Sequence, residues 1–172
     1  TAGEYDDMLV TLTAASKTFN LAGLQNSLII IPDKKIRSRF DDYLTKIRIT
    51  PSNPMGYIAV EAAYRGGAAW AAACRRQIFE NYHLLRDALQ KRAPKAVISP
   101  LEGTYLMWVD LGAYVKAEEM ADFMERRCGL AVDYGEWFGG ERFGTFIRLN
   151  LATSCELVQA AADKLCAALE QC

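Results

Sequence analysis

The chain has 172 residues, 51% of them hydrophobic and 24% charged, with a formal net charge of −1. That length suits one domain and that composition a globular protein able to build a core. The balanced charge gives no basic face for nucleic acid, and the longest apolar runs, such as NSLIII at 26–31, fall far short of the roughly 20 residues a membrane helix needs.

Residues 8–13 alternate and are β-prone, which predicts a strand. Residues 26–32 are continuously apolar, as a strand buried on both faces would be. Asp33 is placed to cap a helix that carries Ile36, Phe40, Leu44 and Ile47 on one face. Two prolines then break the chain within RITPSNP at 48–54. The Ala-rich stretch 55–67 predicts a small-residue helix packed close to a neighbour. A long helix follows over 68–92, with Cys74, Ile78, Tyr82, Leu85 and Leu89 at helical spacing and Pro94 past its end.

Strands are predicted at 96–99 and 104–111, joined by the turn residues PLEG. The helix expected over 116–129 presents Met120, Phe123, Met124 and Cys128, and Gly129 suits its C′ position. Strands at 130–135 and 145–152 flank the glycine- and aromatic-rich stretch DYGEWFGGERFG, which reads as a loop fit to cover a ligand. The last helix starts near Ser154 and turns Leu157, Val158, Ala161, Leu165 and Leu169 inward. From residue 68 on, the order is helix, two strands, helix, two strands, helix, an α/β arrangement of helices on a small sheet. Residues 1–52 hold two strands and one helix. Two strands alone are marginal, so this segment reads as the end of a larger sheet.

Five cysteines, an odd number with no C-x-x-C pair, read as reduced thiols in a cytoplasmic protein. The first residues lack a basic, apolar, small-residue leader, so no signal peptide is expected. The single histidine, His83, falls within the long helix and reads as a surface or partly packed residue rather than a partner for a nucleophilic cysteine. No metal site is expected, since no cluster has ligand spacing.

Four stretches fall in order with sensible spacing: SKTFNLAGLQ at 16–25, NPMGYIAVEAAYRGGAAW at 53–70, GTYLMWVDL at 103–111 and FIRLN at 146–150. Together they resemble the C-terminal half of a fold-type-I, pyridoxal-phosphate-dependent enzyme, and most of all the cystathionine β-lyase (C–S lyase) branch of the class I/II aminotransferase superfamily. The resemblance covers essentially the whole chain. It implies that residues 1–52 close the large cofactor-binding domain and that 53–172 form the small C-terminal domain with its linking helix.

The resemblance also implies roles. Lys17 would be the lysine that condenses with the aldehyde of pyridoxal 5'-phosphate, a role that needs an amine fixed in place just past a strand end. Thr13 and Ser16 would reach the cofactor phosphate. Arg148 would hold the substrate α-carboxylate, for which a planar guanidinium is better shaped than an ammonium. Aminotransferases of this superfamily commonly carry an arginine eight residues after the lysine. Here that position is Gln25, as in the C–S lyase branch, and this favours β-elimination over transamination. The implied reaction cleaves cystathionine or a related cysteine S-conjugate to pyruvate, ammonia and a thiol, in an enzyme that is a homodimer at full length. The cofactor-binding elements of the N-terminal half find no counterpart before Lys17, so the chain reads as a fragment that would be inactive alone. Two alternatives stand beside this one: an aminotransferase, or a non-catalytic module that binds a partner.

Overall fold

In the computed structural model, which describes residues 3–49 and 54–172, the contacts divide into two units, one ending at Ala72 and one starting at Ala73. The division falls inside a 25-residue helix. The proline-broken stretch at 50–53, and with it the expected domain boundary at 52/53, lies outside the described residues.

After a 3-10 turn at Gly3–Tyr5, the first unit holds a two-stranded antiparallel ribbon, β1 (Thr11–Thr13) on β2 (Leu28–Ile30). Both strands are shorter than the periodicity suggests. The continuous apolar run of β2 is not buried: Leu28, Ile29 and Ile30 are all exposed, and only the following Ile31 is covered. A two-stranded ribbon leaves its faces open, so apolar sequence here does not become buried surface. Helix α1 (Lys34–Lys46) starts where expected, because the Asp33 carboxylate accepts from the Ile36 amide at 2.8 Å. None of its residues is fully buried, and Ile47 is exposed. Helix α2 (Pro54–Gly66) contributes buried Gly56 and Val60.

The second unit holds the main core. Helix α3 (Ala68–Arg92) buries Asn81, Tyr82, Leu85 and Leu89. Its His83 is half-buried, edge-on to Phe79 with ring centres 4.4 Å apart. Four strands follow: β3 (Val97–Ile98), β4 (Leu106–Asp110), β5 (Asp133–Tyr134) and β6 (Phe146–Asn150). They form one antiparallel sheet in the order β3-β4-β6-β5. One face buries Met107, Val109 and Ile147 against α3 residues and α6 (Cys155–Leu169).

The expected helix over 116–129 is three successive turn types. A 3-10 turn at Ala117–Glu119 leads into α4 (Met120–Asp122) and then a π-helical turn at Phe123–Arg127. The Cys128 amide accordingly donates to the Phe123 carbonyl, five residues back, at 2.9 Å. The wider turn still buries Met120, Phe123, Met124 and Cys128, as the pattern predicts. Gly129 takes a left-handed φ of 61°, and the Leu130 amide returns to the Met124 carbonyl.

Two further readings are corrected. The loop expected before β6 folds into α5 (Glu136–Gly139) and a 3-10 turn at Gly140–Phe143. In α6, Val158, Leu165 and Leu169 face inward as expected, but Leu157 is 62% exposed and Ala161 half-buried, and Ala162, Cys166 and Ala168 complete the face. All five cysteines are free thiols. Among the described residues no helix is long and apolar enough to cross a membrane.

Candidate functional site

β1 ends at Thr13, and residues 16–20 form a tight turn. Two backbone bonds close it, from the Phe19 amide to the Ala15 carbonyl at 3.0 Å and from the Leu21 amide to the Ser16 carbonyl at 2.9 Å. Asn20 completes the turn at a φ of 55°, which asparagine tolerates better than most residues. Ala15 is 1% exposed and roots the turn in the unit. Phe19 anchors it from the other side. Its ring stacks 6.1 Å from Trp70 and meets Tyr64 edge-on at 5.9 Å.

This turn presents Lys17 to solvent, with Ser16 half-buried beside it and Thr13 exposed at the strand end. Among the described residues none of the three side chains makes a hydrogen bond or an ion pair. An amine and two hydroxyls, unpaired and held on one short segment, match the donor set an aldehyde and a phosphate would need. Gln25 adopts a left-handed conformation at φ 50° and ψ 46°. The next residue, Asn26, is buried with neither carboxamide atom hydrogen-bonded. A group of that kind wants a polar partner. These residues therefore fit a phosphorylated aldehyde cofactor.

Arg148 lies in the second unit, at the centre of β6. It pairs with Trp108 of β4 on one side and Asp133 of β5 on the other. Its Nε and Nη2 both donate to Asp133 Oδ2, at 3.0 and 2.7 Å. The Phe138 ring centre stands 4.2 Å from the guanidinium carbon. Phe138 is held in turn by Trp108, edge-on at 5.8 Å, and Trp108 stacks on Phe146 at 5.5 Å. The arginine is thus an ordered, partly exposed cation rather than a buried one. Asp133 escaped the sequence reading. Its strand is two residues long, too short for alternation to show that it faces Arg148.

The family model for aminotransferases of class I and II matches residues 1–165. The chain is 33% identical to cystathionine β-lyase PatB of Bacillus subtilis over 167 residues, which cover 96% of this chain and 43% of that protein. Among solved structures, cystalysin from Treponema denticola, which contains pyridoxal 5'-phosphate, superposes with a TM-score of 0.90 at 32% identity. The match covers 98% of this chain and 43% of cystalysin. The pyridoxal-phosphate-bound C–S lyase from Staphylococcus hominis, in complex with L-cycloserine, gives 0.84 at 32% identity, with 96% and 42% covered. The chain spans less than half the length of each of these relatives and matches the C-terminal part of that fold.

Proposed function

Because the chain belongs to the class I and II aminotransferase family, we propose that it is the C-terminal part of a pyridoxal-phosphate-dependent carbon–sulfur β-lyase, acting on cystathionine or a related cysteine S-conjugate. The observation that carries this reading is Lys17, an unpaired amine on a closed, anchored turn directly after a strand. The likeness to a cystathionine β-lyase and to C–S lyase structures supports it. Gln25, in place of a phosphate-binding arginine, supports elimination over amino-group exchange. We assign the same protein a cytoplasmic location and a homodimeric state at full length. Residues 1–52 would close the large domain, and 53–172 would be the small one.

When bound, pyridoxal phosphate supplies an electron sink for the electron pair left at the substrate Cα. The chain's own residues do the rest. The Thr13 and Ser16 hydroxyls would hold the phosphate oxygens. Lys17, an amine held on a closed turn, would take the Cα proton. Arg148 would take the α-carboxylate, for which its planar guanidinium is shaped. Phe138 covers one face of the guanidinium and limits how it can turn.

The test uses the full-length enzyme with cystathionine, and separately with an amino acid lacking a β-leaving group plus a keto acid. Release of pyruvate and a thiol from the first, lost in Lys17→Ala, is the expected result. Rapid amino-group exchange in the second, with no thiol from the first, would make the protein an aminotransferase instead.

A further inference from the structure

A guanidinium has two edges that can each hold a carboxylate, the Nε–Nη2 edge and the Nη1–Nη2 edge. In Arg148 the first is taken, since both of its N–H groups converge on one oxygen of Asp133. One face is covered by Phe138. Among the described residues nothing accepts from Nη1. The edge that remains is the one that can meet a substrate carboxylate end-on.

The pair is poorly placed to serve stability. The side chains are 29% and 41% exposed, and ion pairs this open contribute little to folding. Yet the support behind Asp133 is rigid. The neighbouring Tyr134 hydroxyl donates to Glu125 Oε1 at 2.9 Å, and its ring meets Trp137 edge-on at 5.2 Å. This ties β5 to the π-helical turn on one side and to α5 on the other. A long, rotatable arginine is thereby held by a fixed acid, a fixed ring and its own strand.

We propose that Asp133 is a positioning residue for the substrate. By holding the Nε–Nη2 edge of Arg148, it turns the other edge toward the α-carboxylate and sets the preference for a free amino acid over its neutral amide. This rests on the carboxylate role given to Arg148 above. A lone arginine would sample several rotamers and bind acid and amide with less discrimination. One clamped on a single edge offers a planar, two-pronged donor that only a carboxylate satisfies.

The experiment compares Asp133→Ala, Asp133→Asn and Arg148→Ala in the full-length holoenzyme. It measures kcat and KM for an S-substituted cysteine and for its carboxamide, the dissociation constant of a non-reacting α-methyl amino acid, and the thermal midpoint. Asp133→Ala is expected to raise KM and the dissociation constant by roughly ten- to a hundredfold, the scale of a small misplacement. The fall in kcat should be smaller, the acid-to-amide preference should collapse, and the midpoint should barely move. Asp133→Asn keeps an oxygen that can accept both N–H groups and should recover most of the affinity. Should Asp133→Ala fail to fold, Asp133→Val, which suits a strand and lacks an acceptor, is read the same way. If Arg148→Ala destroys the acid preference while Asp133→Ala leaves it intact, the positioning role is wrong and the carboxylate role stands. If Asp133→Asn is as impaired as Asp133→Ala, the geometric role is also wrong. If Arg148→Ala itself keeps the acid preference, the carboxylate role of Arg148 fails.

Discussion

The carboxamide of Asn81, wholly buried on α3, donates to the carbonyl oxygens of Leu151 and Thr153, at 2.9 Å each. It thereby satisfies two acceptors in the segment between β6 and α6, seventy residues on. Gln77 completes the arrangement by donating to Asn81 Oδ1 at 3.2 Å. Asn81→Ala is expected to destabilise the protein by about 2–4 kcal/mol, the cost of stranding two covered carbonyls. Asn81→Asp should be worse at neutral pH, because a carboxylate cannot donate. It should improve as acid protonates the carboxylate. Denaturant midpoints at pH 7 and pH 5 check this, and an Asp variant no less stable than the Ala variant at pH 7 would refute it.

Gly67 joins α2 to α3 under the ring of Phe19. A Cβ there would lie 2.6 Å from Phe19 Cε1 and 2.5 Å from the Ala63 carbonyl oxygen. Gly67→Ala should push Phe19 off its seat between Tyr64 and Trp70, and with it the turn that presents Lys17. The expected outcome in the full-length protein is weaker cofactor binding, followed by titration of the visible band. Phe19→Leu, which also loosens the anchor, should act in the same direction. Unchanged cofactor affinity in both variants would show that the turn holds without this anchor.

Burial pushes the Cys128 thiol up to about 11 from an ordinary value near 9, with the nearby Arg127 only partly opposing the shift. A raised thiol pKa means the folded state keeps its proton where the unfolded chain has lost it. Stability from this group is therefore complete below about pH 9 and declines as pH rises toward about 11. Cys128→Ala should be less stable at pH 7, because it leaves a gap in the core. Its stability should nonetheless fall less steeply than the parent's between pH 9 and 11. Parallel curves for the two proteins would count against the assignment.

What could be seen in advance follows from where the signals reside. Leu85, Leu89, Met120, Phe123 and Met124 are large, regularly spaced and buried as their period implies. The element order from residue 68 on follows from them. On α6 the periodicity places Leu157 inward although it is exposed, because Ala162, Cys166 and Ala168, which complete the buried face, are small and mark it weakly. The stretch before β6 has glycines at close intervals that erase any helical period, yet it closes into short helical turns. Lys17 and Arg148 stood out only through the motifs around them. The partner that orders Arg148 lies fifteen residues away on a strand of two, and register across a ladder is not written in local sequence. Residues 28–30 show the reverse error. A continuous apolar run reports a preference for burial, but burial also requires something to be buried against.

That ribbon sets the behaviour of the 172-residue polypeptide on its own. Among the described residues β1 and β2 pair only with each other, so each has an outer edge with no strand beside it. Leu12, Leu28, Ile29 and Ile30 are exposed on it, as are Met8 and Val10 just before β1. An apolar patch beside an open strand edge drives association. Sedimentation of this polypeptide should show concentration-dependent self-association. Ile29 sits opposite Leu12 at the middle of the ladder and is 42% exposed. Ile29→Lys should thus place a charge in the patch without emptying a core site, lowering association while the thermal midpoint stays close to the parent's. A parent polypeptide that sediments as a monomer at high concentration, or an Ile29→Lys variant that associates as strongly as the parent, would mean that this ribbon is not the surface through which copies meet.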